Sequence, residues 1–381
     1  MNFDLSTEQN ILKESAHKFL GKECTSEFVR EMAEDEKGYS PKLWKKMADL
    51  GWMSLLVPEE YEGSGVNFLD LALLISEMGY YCLPGPFFPT VVLGGLTVLE
   101  AGNESQKSEI LPEVATGKRL MTLAMTETGG TYTPKGINLS AVMKNDQYVL
   151  NGTKLFVPDA HVADTIICAA RTGDPKPDES DGISLFLVDA KSSGLKVELL
   201  DTLAGDKQCE VLFDKVSVPK ENLLGEQGKG WPVLKKVLLM AAVAKSAEMN
   251  GIAQKAMDLA IPYVKGRQQF GRPVSAFQAV QHHCADMLTF ADTINFMTYQ
   301  AAWRITAGLP FEKEASMCKV WVSESCRKLV GLGHQVIGGV GFMEEYDLQL
   351  YYKRAKEAEQ LFGSADLVVW KCRFSQRAGG M

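Results

Sequence analysis

The chain has 381 residues, 46% of them apolar and 23% charged, with a formal net charge of −8. That length exceeds one ordinary core and predicts two or three domains of soluble globular composition. The acidic balance, without a run of five or six like charges, excludes nucleic acid as the main partner, because such binding needs a basic footprint.

Cysteines stand at 24, 82, 168, 209, 284, 318, 326 and 372, with no CxxC. Scatter of this kind predicts buried, reduced thiols and neither a disulfide frame nor a zinc site. The opening "MNFDLSTEQNILKESAHKF" carries acids and helical periodicity, unlike a signal peptide. The longest apolar run, "VLLMAAVA" at 237–244, is too short to span a bilayer. A soluble, cytoplasmic protein is expected, without a membrane partner.

Residues 1–118 read as a helical domain. Ser6 is a candidate N-cap for "TEQNILKESAHKFL", where Ile11, Leu12, Phe19 and Leu20 recur at helix spacing. "SPKLWKKMADLGW" offers Ser40 as a cap, Pro41 in the first turn and Gly51 as a stop. "PEEYEGSGV" is made of turn residues, and "NFLDLALLISEMGYY" is apolar almost all round, which predicts a buried helix.

Over 119–226 the period changes. "QYVLNGTKLFV", "DTIICAAR", "GISLFLVD", "LKVELL" and "CEVLFDKVSV" are short, rich in β-branched residues and bounded by Gly, Pro, Asn and Asp. Strand after strand without helices between them predicts an antiparallel sandwich or barrel; "RTGDPKPDESDG" reads as a solvated loop tip. From Trp231 the helical pattern returns, and 227–381 holds four helical stretches, enough for a four-helix bundle. The expected fold class is thus α+β multidomain: helices, then an antiparallel β domain, then a bundle.

Within the bundle, "RQQFGRPVSAFQAVQHHCADM" and "QVIGGVGF" hold residues suited to a dinucleotide-like ligand. Arg267 supplies a forked cation for a pyrophosphate. Phe270 can pack on a planar ring, Gln278 and Gln335 can hydrogen-bond, and Gly338, Gly339 and Gly341 let backbone approach closely. Taken singly, the same residues are a surface arginine and glycines that end a helix. His282 and His283 are adjacent, point about 100° apart on a helix, and make a poor metal pair. "GLGHQVIGG" follows no strand, which argues against a dinucleotide fold.

Taken together, these motifs resemble the acyl-CoA dehydrogenase family over the whole chain and in the right order. "VPEEYEGSGVNFLDLAL" is similar to the family's Pro-Glu-x-Tyr-Gly-Gly-x-Gly loop, with Glu62 in place of one glycine. "LAMTETGG" resembles the flavin-side Thr-Glu-Pro segment, and "LNGTKLFV" resembles Asn-Gly-x-Lys-x-Trp-Ile-Thr. "CEVLFDKVSVPKENLLGEQGKGW" matches the strand and linker leading into the last domain, and the two bundle motifs also match.

The resemblance implies FAD as cofactor, an acyl-CoA thioester as substrate and an electron-transferring flavoprotein as redox partner. A carboxylate base removes the α-proton while the flavin accepts a hydride from the β-carbon. It also implies that Met125, Thr126, Phe156 and Val157 lie at the flavin. Arg267, Phe270, Gln278, Gln335, Gly338 and Gly339 would reach the FAD held mainly by the adjacent subunit. Aligning "EQLFGSADL" with the family's Ile-Tyr-Glu-Gly-Thr puts Phe362 where the base stands, with Ser364 among the cofactor-side positions.

Several positions depart from the family. The second family location for a base falls near Ala241 and Ala242, which offer no carboxylate. Pro158 replaces the Ser or Thr that hydrogen-bonds flavin N5, and "TYT" replaces the Gly-Ser-Asp after Thr-Glu-Pro. If the last helix runs through Phe362, Glu359 and Asp366 share its face one turn away on either side and are weak candidates for a relocated base. The alternating charges of "KRAKEAEQ" instead predict a solvated face around Glu359.

Three readings stay open on this pattern. The chain is a dehydrogenase acting on fatty, aromatic or cyclic acyl groups, as a homo-oligomer or in a heterotetramer with a related subunit. "PGPFFPTVVLGG" and the chain end resemble the smaller subunits of pimeloyl- and steroid-type systems. Alternatively it only completes a partner's FAD site, or it acts on CoA esters by decarboxylation or hydration. Phe362 would give the pocket an apolar wall suited to a bulky acyl group.

Overall fold

The computed structural model describes residues 4–173 and 181–363. Contacts divide the chain into two compact units. One comprises Met1–Arg30, Phe68–Leu83 and Ala242–Met381; the other comprises Glu31–Asn67 and Pro84–Ala241.

The N-terminal helices start where the caps predict. Helix α1 (Thr7–Glu23) begins at Ser6, whose hydroxyl accepts from the Gln9 amide while the Gln9 side chain accepts from the Ser6 amide. A short α2 (Ser26–Glu34), which periodicity did not reveal, precedes α3 (Pro41–Asp49). Helix α3 is capped by Ser40 and followed by Gly51 at φ +75°. In the turn-rich loop, Glu62 takes φ +64°, in the left-handed region that favours glycine. Helix α4 (Phe68–Tyr80) is buried on nearly every side. "PFFPTVVLGG" forms a wide helical stretch with π-type hydrogen bonding, Phe88–Gly95, which runs into α5 (Leu96–Ala101) and is followed by α6 (Glu104–Ala115).

In the second unit, eight strands make one sheet: β1 (Met121–Ala124), β2 (Ser140–Lys144), β3 (Gln147–Pro158), β4 (Thr165–Arg171), β5 (Ile183–Asp189), β6 (Leu195–Leu200), β7 (Gln208–Pro219) and β8 (Leu223–Leu224). The order is β6-β7-β3-β2-β4-β5-β8, with β1 beside β4. The ladder is mostly antiparallel, as expected, with two parallel pairings, one of them a single pair, Ser140 of β2 with Arg171 of β4. Strand β1 runs parallel to β4, pairing Met121 with Thr165 through Ala124 with Cys168. A parallel neighbour needs a long connection, and here the β2–β3 hairpin lies within it. Tyr148, Leu150, Phe186, Phe213 and Val216 fill the sheet's core, with the Tyr148 and Phe186 rings 4.7 Å apart. Part of the predicted loop tip, 174–180, lies outside the described residues.

The other unit is helical. Helix α7 (Gly230–Gly266) leads to a small hairpin of β9 (Gln268–Gln269) and β10 (Arg272–Pro273), and then to α8 (Gln278–Thr306), α9 (Glu312–Ile337) and α10 (Leu348–Gln360). Against α4, α7 packs at glycines. A Cβ at Gly79 would overlap the Glu248 carbonyl, and one at Gly251 would overlap the Ser76 carbonyl. Tyr351 on α10 donates to the Tyr80 carbonyl at 3.0 Å, and Arg30 pairs with Asp347 at 3.0 Å.

Gly79→Ala forces α4 and α7 apart and is expected to destabilise the protein by about 1–3 kcal/mol. Urea unfolding monitored by circular dichroism checks this, and an unchanged midpoint rejects the close contact as its cause.

Candidate active site

In the sheet unit the site starts from a buried lysine. Lys154 on β3 is fully buried, and its ammonium donates to the Met125 carbonyl at 3.0 Å and to Glu127 Oε1 at 2.7 Å. Glu127 in turn accepts from the Asn138 and Leu139 amides at 2.9 Å, which fastens the loop between β1 and β2. Arg171 secures the same loop by donating to the Ile137 carbonyl at 2.9 Å and the Pro134 carbonyl at 2.6 Å.

These bonds bring the predicted flavin-side residues together. The Leu155 amide donates to the Thr126 carbonyl at 2.8 Å, and the Thr122 hydroxyl donates to the Pro158 carbonyl at 2.6 Å. Met125 and Thr126 therefore lie beside Leu155–Pro158. The β3–β7 register shifts between Lys154 and Val157, and at that bulge Phe156 takes φ +55° with half of its surface exposed. Val157 is buried. Pro158 has neither an amide N–H nor a hydroxyl to offer a ligand.

In the helical unit, Arg267 follows α7 and its carbonyl accepts from the Val274 amide at 2.9 Å. The β9–β10 turn holds Phe270 and Gly271 at φ +53° and +77°, which leaves Phe270 90% exposed at the tip. Its ring meets that of Phe277, directly before Gln278, at 6.0 Å, and the Arg272 guanidinium lies 4.2 Å over Phe277. Arg267, Phe270 and Gln278 thus belong to one local structure. Gln335 is exposed on the last turn of α9, and Gly338 follows at φ +74°. A Cβ added at Gly338 or Gly339 would meet nothing within 4 Å, so the backbone of this turn faces open space.

The end of α10 corrects one expectation. The helix stops at Gln360; Leu361 is extended, Phe362 takes φ +60° and Gly363 φ +107°. A bulky residue before a glycine ends the helix in a left-handed turn, so Glu359 does not share a continuous helical face with residues beyond Phe362. Asp366 and Ser364 lie outside the described residues. Glu359 is also not on a solvated face. Its side chain is 13% exposed and pairs with Arg327 at 3.6 Å and Lys356 at 3.5 Å. Ala241 and Ala242 on α7 are buried.

Sequence reasoning missed the residues that hold these turns. Lys319 on α9 is 1% exposed, and its ammonium donates to Ser323 Oγ at 2.9 Å, the Ala358 carbonyl at 2.7 Å and the Glu359 carbonyl at 3.2 Å. Lys245 pairs with Glu248 at 2.6 Å and Arg354 with Glu357 at 3.5 Å, all nearly buried. His334 is buried between Phe342 and Tyr352, with ring centroids 4.8 and 5.2 Å away. A signal existed for Lys154 and Lys319: each interrupts an apolar run, "GTKLFV" and "MCKVWV".

Family models for the N-terminal, middle and C-terminal domains of acyl-CoA dehydrogenase match residues 6–118, 122–216 and 228–368. The chain belongs to the acyl-CoA dehydrogenase family. It is 33% identical to the NADH-dependent acryloyl-CoA reductase of Anaerotignum propionicum, covering 96% of this chain and 94% of that one. It is also 33% identical to a subunit of the caffeyl-CoA reductase–Etf complex of Acetobacterium woodii, over 91% and 92% of the two chains. Butyryl-CoA dehydrogenase from Megasphaera elsdenii superposes with a TM-score of 0.90 at 27% identity, over 97% and 98% of the two chains.

As a member of this family it is an FAD-dependent oxidoreductase acting on CoA thioesters. Its residues fit the cofactor unevenly. In the helical unit, the open backbone at Gly338–Gly339 and the exposed Phe270 ring suit part of a dinucleotide; in the sheet unit, the exposed Phe156 ring suits a flat ring system, whereas Pro158 offers no donor.

Burial, with repulsion from Lys245, pushes the Lys319 ammonium down to about 7, against attraction from Cys318, Glu359 and Cys326. Unfolded, the same group titrates near 10.5. Between those values the unfolded chain keeps a proton that the folded chain has released, so stability from this group rises with pH; below 7 its full cost is present. Lys319→Met should flatten that rise. Thermal midpoints of both proteins from pH 6.5 to 9.5 check it, and parallel profiles reject it.

Proposed function

We propose that the chain takes part in FAD-dependent α,β-dehydrogenation of an acyl-CoA as one subunit of a heteromer, completing the FAD site of a related subunit that carries the base. The observation behind this reading is the turn at Phe362. An aromatic ring stands at the usual base position, and the alternative position on α7 is two buried alanines. Meanwhile the groups expected to serve a neighbour's cofactor (Arg267, Phe270, Gln278, Gln335, Gly339) are all exposed in the single chain.

When bound, FAD supplies the hydride acceptor. The chain's own residues bind and orient. Arg267 would offer a forked cation to the diphosphate, Phe270 a flat ring to pack on, Gln278 and Gln335 hydrogen bonds, and Gly338–Gly339 a backbone that lets the cofactor come close. Proton removal from the α-carbon needs a positioned carboxylate. Glu359 is engaged by Arg327 and Lys356, so the proton goes to a residue of the partner. The caffeyl-CoA reductase–Etf relative supports an electron-transferring flavoprotein as redox partner.

A self-sufficient homo-oligomer is the second reading. The bulge that exposes Phe156 beside Thr126 favours it, because a chain that only lent residues to a partner would have no need of a flavin-side surface.

The visible spectrum of the protein purified alone, with its mass by light scattering, tests the choice. The heteromer predicts a colourless or substoichiometric product that gains FAD on co-expression with a related subunit. One FAD per chain in a homo-oligomer that oxidises acyl-CoA with an artificial acceptor overturns it. Phe362→Glu then asks whether only the base is missing. Straight-chain activity should appear in the variant; its absence implicates Pro158 and the Thr131–Thr133 segment.

A further inference from the structure

Lys319 is a buried ammonium whose three hydrogen bonds end on a hydroxyl and two backbone carbonyls. The carbonyls are those of Ala358 and Glu359, in the last turn of α10. Helix ends leave such carbonyls without intrahelical donors, and the partial negative charge there attracts a cation. The hydroxyl is that of Ser323, one turn along α9, and it orients the ammonium from its own helix. From that clamp the chain passes directly through Leu361 into the left-handed Phe362, a conformation that a bulky side chain adopts only when its surroundings impose it. Arg327, on the same helix as Lys319, holds the Glu359 side chain at 3.6 Å. Both α9 contacts therefore converge on the residues immediately before the turn.

We propose that Lys319 is a positioning residue: by holding the final carbonyls of α10 it sets the left-handed turn and so the direction in which Phe362 projects. This rests on the proposed function in one respect only, that the Phe362 ring forms a wall of the acyl-CoA site. Lys319 touches no reacting atom and acts through the turn. The charged or titratable groups that act on it are Lys245 from α7, Glu359 from α10 and its neighbours Cys318 and Cys326 on α9. Loss of the ammonium proton removes one of the three donors that this geometry uses.

The test places 4-fluorophenylalanine at position 362 and reads its ¹⁹F resonance in the intact protein. With Lys319 present, one resonance displaced from that of the unfolded chain is expected. In Lys319→Met it should move toward the unfolded position or split, while Lys319→Arg, which keeps a cation, should restore much of the displacement. A resonance unchanged in Lys319→Met, even with a lowered melting temperature, overturns the proposal and leaves Lys319 a stabilising residue only. Should the methionine variant fail to fold, the unmutated lysine is titrated instead. The resonance should move between pH 6 and 8.5, and a constant position overturns the proposal. Butyryl-CoA reads the other assumption separately. If Lys319→Met shifts the signal and the thioester does not, the positioning role stands and the reading of Phe362 as a substrate wall falls.

Discussion

A lysine taken out of water must have its charge and its donors answered by other elements, and this chain places two such lysines where its chemistry is arranged. Lys154 inside the sheet is answered by the Met125 carbonyl and Glu127. Because Glu127 also accepts from the amides of Asn138 and Leu139, the charge draws the β1–β2 loop onto β3. That leaves Thr126 bonded to Leu155 and the bulge at Phe156 beside it. Removing one partner of a buried pair typically costs about 3–5 kcal/mol, so the arrangement is held far more firmly than a surface loop would be.

In the helical unit, Lys319 does comparable work with backbone carbonyls as its acceptors. A helix end carries only part of a negative charge, so the ammonium is less well compensated than Lys154. Burial, with repulsion from Lys245, lowers its proton affinity. The same contact decides the path of the chain beyond α10. A helix continuing past Gln360 would carry its own carbonyl bonds onward; instead the last carbonyls are given to Lys319 and the chain turns.

The departures from the family pattern fall together chemically. At Phe362 and Pro158, where the resemblance to the family places a base and a donor, the side chains can neither take nor give a proton. The hairpin at Phe270 and the turn at Gly338–Gly339 carry positive φ at Phe270, Gly271 and Gly338.

Much of this was legible in the residues alone, because the signals were local. Ser6 and Ser40 announce their helices through hydrogen bonds made within one turn, and the strands of the middle segment announce themselves by alternation and turn residues. The motifs around Arg267, Gln335 and Phe362 placed the chain in its family. The short β1, the parallel pairing of β1 with β4 and the wide helix at Phe88–Gly95 were not legible, since each depends on what packs against it. Nor could a sequence show that α10 ends before Phe362, or that Glu359 is paired and not solvated. Those outcomes turn on Lys319 and Arg327, which lie 40 and 32 positions earlier in the chain than Glu359 and meet it only when α9 and α10 pack. The sequence by itself determined the family and the division of the chain into helical and β segments; tertiary structure alone decided where the buried charges are neutralised, because a buried charge takes its partner from whatever element folding brings within reach.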